Sequence, residues 1–161
     1  IKSALAGLDM LNSPKLRESL ARSMCVAGGK LLRDDAKMLV PVDTGRLKAS
    51  LYLAYSPEAS TGTKIEYHVS WRKGKGQMGG GAPHGHLIEF GHWQTHKAYK
   101  GSDGQWYSSP EKLANPKWIA ARPFLRPALE GGRERAYNAM IVRGKQRLPE
   151  LLNGVGGDDR E

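Results

Sequence analysis

Between residues 14 and 39 the apolar side chains Leu16, Leu20, Met24, Ala27, Leu31, Leu32 and Met38 recur at three- and four-residue steps, with charges between them. This spacing predicts an amphipathic α-helix, because 3.6 residues per turn bring such positions onto one face. Ser13 stands in the N-cap position ahead of Pro14, which suits a first helical turn. Pro41 marks the other end, since it disfavours helical geometry in Val40. Gly28 and Gly29 weaken the middle by about 1 kcal/mol each relative to alanine, which predicts a kink or a close helix contact there. Residues 4–11 are expected as a separate helical turn or an arm.

The period then changes. Residues 48–55 alternate, with Leu51, Leu53 and Tyr55 against Ser50, Tyr52 and Ala54, the signature of a strand with one buried face. Residues 64–71 do the same through Ile65, Tyr67, Val69 and Trp71, and the Pro- and Gly-containing link between them predicts an antiparallel hairpin. Residues 72–83 carry too much glycine to order cheaply and read as a mobile basic loop. The short apolar run at 87–90 is expected to add a third strand. Residues 92–117 mix Trp93, Tyr99, Trp106 and Tyr107 with Gly, Ser and Pro, a composition that predicts an interface or lid loop more than core. Helical spacing returns near Pro123 and runs to about Leu152 through Phe124, Leu125, Leu129, Tyr137, Met140, Ile141 and Leu148, despite Gly131, Gly132 and Gly144.

The expected fold is α+β: a long N-terminal helix, a small antiparallel sheet of three to four strands, a C-terminal helix, and long glycine-rich and aromatic loops. The 161 residues suit one domain over 14–152, with insertions at about 72–83 and 92–117, an arm at 1–13 and a frayed tail at 153–161. The 20 glycines, 9 prolines and mean hydropathy of -0.54 agree with a loop-rich chain.

Charge narrows the class of partner. Lys and Arg number 25 against 16 Asp and Glu, giving +9 and a pI near 9.8, so the chain should attract polyanions. The basic residues are spread along the chain without a recognition motif, which argues against base-specific readout. Cys25 is the single cysteine, so no internal disulfide can form. Its neighbours Met24, Val26 and Ala27 predict a buried small hydrophobe more than a reactive thiol. No apolar run reaches the roughly 18 residues needed to span a bilayer, and no membrane partner is expected.

Two constellations could carry chemistry. Asp43-Thr44-Gly45 matches the triplet of aspartic proteases, but Arg46 beside it would hold paired carboxylates ionised, against a shared proton. The plainer reading is a turn in which Asp43 and Thr44 accept backbone hydrogen bonds and Gly45 supplies a positive φ. His84, His86, His92 and His96 surround Glu89 at spacings that zinc could use, yet no cysteine joins them and no zinc-hydrolase or finger pattern is present. Loop or interface histidines, with Glu89 in a hydrogen bond or ion pair, are the expected outcome. Neither a catalytic residue nor a cofactor or metal site is assigned.

Three separated segments, P-V-D-T-G-R-L-K-A-S at 41–50, L-I-E-F-G at 87–91 and A-R-P-F-L-R-P-A-L at 121–129, together resemble one family. It is the tail-component or tail-completion proteins of tailed bacteriophages, typified by gene product ten of phage HK-ninety-seven. The signature residues are Pro41, Asp43, Thr44, Gly45, Leu47, Ser50, Glu89, Phe90, Gly91, Arg122, Pro123, Phe124, Arg126 and Pro127. The family usually has Tyr-Ala shortly before the Glu-aromatic-Gly segment, where this chain has His84-Gly85-His86, and the insertion after His92 is longer here. The resemblance implies a non-enzymatic virion subunit of the head-tail neck, assembled in the host cytoplasm into a homo-oligomeric ring, a hexamer favoured over a dodecamer. Its implied neighbours are head-completion (stopper), tail-terminator and tail-tube proteins, with DNA passing non-specifically through the ring. On that reading Asp43, Thr44 and Gly45 shape a turn, and the residues from Arg122 to Pro127 fix the start of the last helix. Arg72, Lys73, Lys75, Lys97 and Lys100 then face DNA or an acidic neighbour. The rival readings are a basic nucleic-acid-binding protein and, behind it, a zinc- or aspartate-dependent hydrolase.

Overall fold

The computed structural model describes residues 13–74, 81–104 and 106–152; the arm at 1–12, Lys75 and the tail at 153–161 lie outside the described residues. Helix α1 (Pro14–Leu39) is followed by a helical turn α2 (Arg46–Ser50) and a hairpin of β1 (Leu51–Tyr55) and β2 (Tyr67–Trp71). A short helix α3 (Gly85–Phe90) leads into a second hairpin, β3 (His92–Lys100) and β4 (Trp106–Ile119), and the chain ends in helix α4 (Leu125–Leu152).

Helix α1 has the bounds its proline punctuation predicts, with Ser13 and Val40 at the caps. The Ser13 side chain makes no capping bond; its backbone carbonyl accepts from the Arg17 N–H instead. Gly28 resolves as a close helix contact, since a Cβ there would stand 2.7 Å from Met140 Cγ and 3.1 Å from the Ala136 carbonyl oxygen. Helix α4 thus lies directly against α1, and Gly132 and Gly144 make matching approaches to Asp35 and Met24. Polar ties line the same seam: Arg135 to the buried Asp35 at 2.9 Å, and Arg143 Nε to Ser23 Oγ at 2.7 Å.

The first hairpin pairs as its alternation predicts, antiparallel from Leu51 opposite Trp71 to Tyr55 opposite Tyr67. Its strands are shorter than expected. Residues 46–50 turn helical because Gly45, at φ +76°, sends the chain into a left-handed N-cap position, and Ser50 Oγ donates back to the Leu47 carbonyl.

Two further expectations are corrected. Residues 87–90 are helical and form no third strand, so each sheet has only two strands. A helical turn is what aims Glu89 inward while the Ile88 side chain packs on the core. The aromatic insertion is no loop but a long antiparallel hairpin, whose register shifts fall between Gln94 and His96 and between His96 and Ala98. Pro110 and Pro116 of β4 sit opposite those shifts, where a missing N–H leaves no ladder bond unmade.

The core joins Ala36 and Val40 of α1 and its C-cap, Leu47, Leu51, Ala82, Phe124 and Ala128, with Trp71, Ile88 and Leu125 packed around it. Phe124 is fully buried and meets the Trp71 ring edge-on at 6.0 Å. No helix among the described residues is long and apolar enough to cross a membrane.

Candidate functional site

Helix α4 begins without a Ser, Thr, Asp or Asn at its N-cap, so its first amides need partners from elsewhere. Glu89 supplies them. Its Oε2 accepts the N–H of Phe124 at 2.8 Å and of Leu125 at 3.0 Å, and its Oε1 accepts that of Arg126 at 3.2 Å. Pro127 has no N–H to satisfy, and Ala128 opens the helical ladder by donating to the Phe124 carbonyl at 3.3 Å. Just upstream the Arg122 N–H donates to the Ile88 carbonyl at 2.8 Å, and Pro123 again has none. Every backbone donor from 122 to 128 is therefore accounted for, and a buried carboxylate faces the positive end of the helix dipole.

The three segments singled out in the sequence share the core cluster and its cap. Leu47 comes from the first, Ile88 and Glu89 from the second, and Phe124 and Ala128 from the third. Gly91 makes the exit from α3 at φ +73°, so close to the chain that a Cβ would lie 2.8 Å from the Ile119 carbonyl oxygen and 2.9 Å from the Ala121 nitrogen. Phe90, by contrast, points outward and is exposed.

The Asp-Thr-Gly triplet behaves as a turn carried by Gly45 alone. Asp43 and Thr44 are exposed, and neither side chain makes a hydrogen bond to backbone among the described residues; Asp43 instead faces the Lys100 ammonium at 3.9 Å. The histidines form no ligand set around Glu89 among the described residues. His86 Nδ1 lies 2.9 Å from the Pro83 carbonyl and His96 Nδ1 2.9 Å from Thr95 Oγ1, while both Glu89 oxygens are taken by amides. No group of three potential metal ligands occurs among the described residues. Cys25 is half-buried and its thiol is pushed up by desolvation, as its apolar neighbours predict.

The basic residues divide between two places. Arg72 and Lys73 are exposed at the base of the glycine-rich loop, where the Arg72 N–H donates to Ser50 and its carbonyl accepts from Ala82. Lys97 and Lys100 ride on β3, but Lys97 pairs with Glu111 and Lys100 approaches Asp43, so neither charge is wholly free for a polyanion.

What sequence reasoning missed is the strand pairing that carries the aromatics of the second hairpin. Trp93 packs against Trp118 at 5.5 Å and Tyr99 stacks on Tyr107 at 5.8 Å, while Trp93, Tyr99 and Trp106 remain mostly open to solvent and Trp118 is about half covered. Set against protein-family models, curated proteins and solved structures, the chain matches none of them.

Proposed function

We propose that this chain is a structural subunit of a tailed-phage virion, forming an oligomeric ring at the head-tail neck through which DNA passes. The observation that carries this reading is the junction at Glu89, where the second family-like segment meets the third, while Leu47 of the first lies in the core cluster with Phe124 and Ala128 of the third. Strings shared by chance, 30 or more residues apart, would have no reason to complete one another's hydrogen bonds, yet Glu89 of the second caps the helix opened by the third. Exposed aromatics on a projecting hairpin support a role in contacts between subunits, and the +9 charge suits tolerance of passing DNA without base readout. On this reading a hexameric ring is favoured over a dodecameric one, set between head-completion, tail-terminator and tail-tube proteins.

The test is to image intact particles of the encoding phage by cryo-electron microscopy and to search their digests for peptides of this chain. A ring of copies at the neck is expected; absence of the chain from mature particles contradicts the proposal. A nucleic-acid-binding role is the second reading, favoured by tryptophan, tyrosine and lysine sharing one hairpin. A salt-sensitive gel shift by the isolated subunit would support it.

A further inference from the structure

Two surfaces lack partners among the described residues, and they complement each other. The first is the tip of the β3–β4 hairpin, where Tyr99 and Trp106 are 55% and 63% exposed. The second is an open groove of about 610 Å³ along the α1–α4 seam, walled by Leu32, Leu129, Tyr137 and Met140. Leu129 and Tyr137 are themselves 54% and 62% exposed, an apolar lining left to water.

Charge complements shape. Glu130 and Glu134 stand along the groove, and neither has an ion-pair partner among the described residues; Arg133 lies between them, equally unpaired. On β4, Lys112 is also without an ion pair among the described residues. The spacing matches as well. From Leu129 to Met140 the groove runs about 16 Å at the helical rise. From Trp106 to Lys112 the strand covers about 20 Å at most, less where Pro110 and the register shift gather it in. Trp106 set against Tyr137 and Met140 therefore brings Lys112 to the Glu130 end.

We infer that the β3–β4 hairpin of one copy docks in the α1–α4 groove of a second copy. The inference rests on the ring-forming reading above and names its contact. Because hairpin and groove are different surfaces of one chain, the contact is head-to-tail: each copy offers a hairpin to one neighbour and a groove to the other, the type of contact from which a closed ring is built when its rotation divides the circle.

The full chain, the double variant Tyr99→Ser/Trp106→Ser and the variant Tyr137→Glu would be weighed separately by analytical ultracentrifugation, with circular dichroism checking that each stays folded. The wild type should be oligomeric and each variant monomeric. Mixed together, the two variants should form a heterodimer, since one retains its groove and the other its hairpin. Glu130→Lys should weaken the oligomer, and adding Lys112→Glu to the same chain should restore it. An oligomeric wild type whose variants keep its mass, a mixture that stays monomeric, or a charge swap that restores nothing overturns the docking contact alone. A monomeric wild type overturns the ring reading and the contact with it. A hairpin variant that keeps the wild-type oligomer but loses binding to a single-stranded DNA oligonucleotide assigns the hairpin to nucleic acid and overturns the inference.

Discussion

Glu89 Oε2 accepts the backbone N–H of Phe124 at 2.8 Å, across 35 residues of sequence, and so joins a short helix to the first turn of the last one. The same carboxylate holds the next two amides. Replacing Glu89 by Ala strands three donors at a largely buried helix end, and bonds to a charged acceptor contribute more than neutral ones. Glu89→Ala should cost about 3 kcal/mol in urea unfolding, on the scale of a lost cap plus unsatisfied amides. Glu89→Gln should cost about half as much, because one amide oxygen can still accept while its NH₂ cannot.

Phe124 is the largest fully buried side chain among the described residues, whereas Trp106 is mostly exposed. Phe124→Ala should cost about 3–5 kcal/mol through the cavity it leaves. Trp106→Ser should stay within about 0.5 kcal/mol of the wild type, as surface changes usually do. Equilibrium denaturation of the two variants at a concentration where the chain is dispersed checks the contrast.

Two helical glycines should respond in opposite directions. A Cβ on Gly131 meets nothing within 4 Å, so Gly131→Ala should stabilise by about 0.5–1 kcal/mol through helix propensity. A Cβ on Gly28 would stand 2.7 Å from Met140 Cγ and 3.1 Å from a backbone oxygen of α4. Overpacking there outweighs the propensity gain, and Gly28→Ala should lose about 1 kcal/mol. Thermal melts of the two variants would show a rise and a fall.

Acid should loosen the C-terminal end of the helix pair. Arg147, by hydrogen bond and charge, and Arg143 behind it, hold the Glu150 carboxyl below its ordinary value of 4.5. A carboxylate with a lowered folded-state pKa contributes its stability fully above its unfolded value, and loses it as pH falls through the lowered one. The denaturation midpoint of the wild type should therefore drop as pH falls from 5 toward about 3, and that of Glu150→Gln should drop less. Parallel profiles would contradict this.

The parts legible in the sequence are those with one face in a core. Helix α1 shows its period and its proline bounds, and β1–β2 shows its alternation, because Leu51, Leu53 and Tyr55 must face inward together. The β3–β4 hairpin hides because no apolar alternation marks it: the half-buried positions of β3 are His92, Gln94 and His96, and Pro110 and Pro116 read as breakers when they mark register shifts. Residues 87–90 are too few for period to separate helix from strand. The cap on α4 did leave a signal, an isolated Glu inside an apolar run and a helix start with proline but no capping residue of its own. Recognising the two as halves of one junction requires the fold.

The proposed ring requires copies of this chain to assemble with one another. The most direct measurement is the mass of the wild-type chain by native mass spectrometry over a wide range of concentration. A discrete closed multiple of the 17.7 kDa subunit, six copies favoured, is expected. A single species of one subunit mass at every concentration would contradict the account.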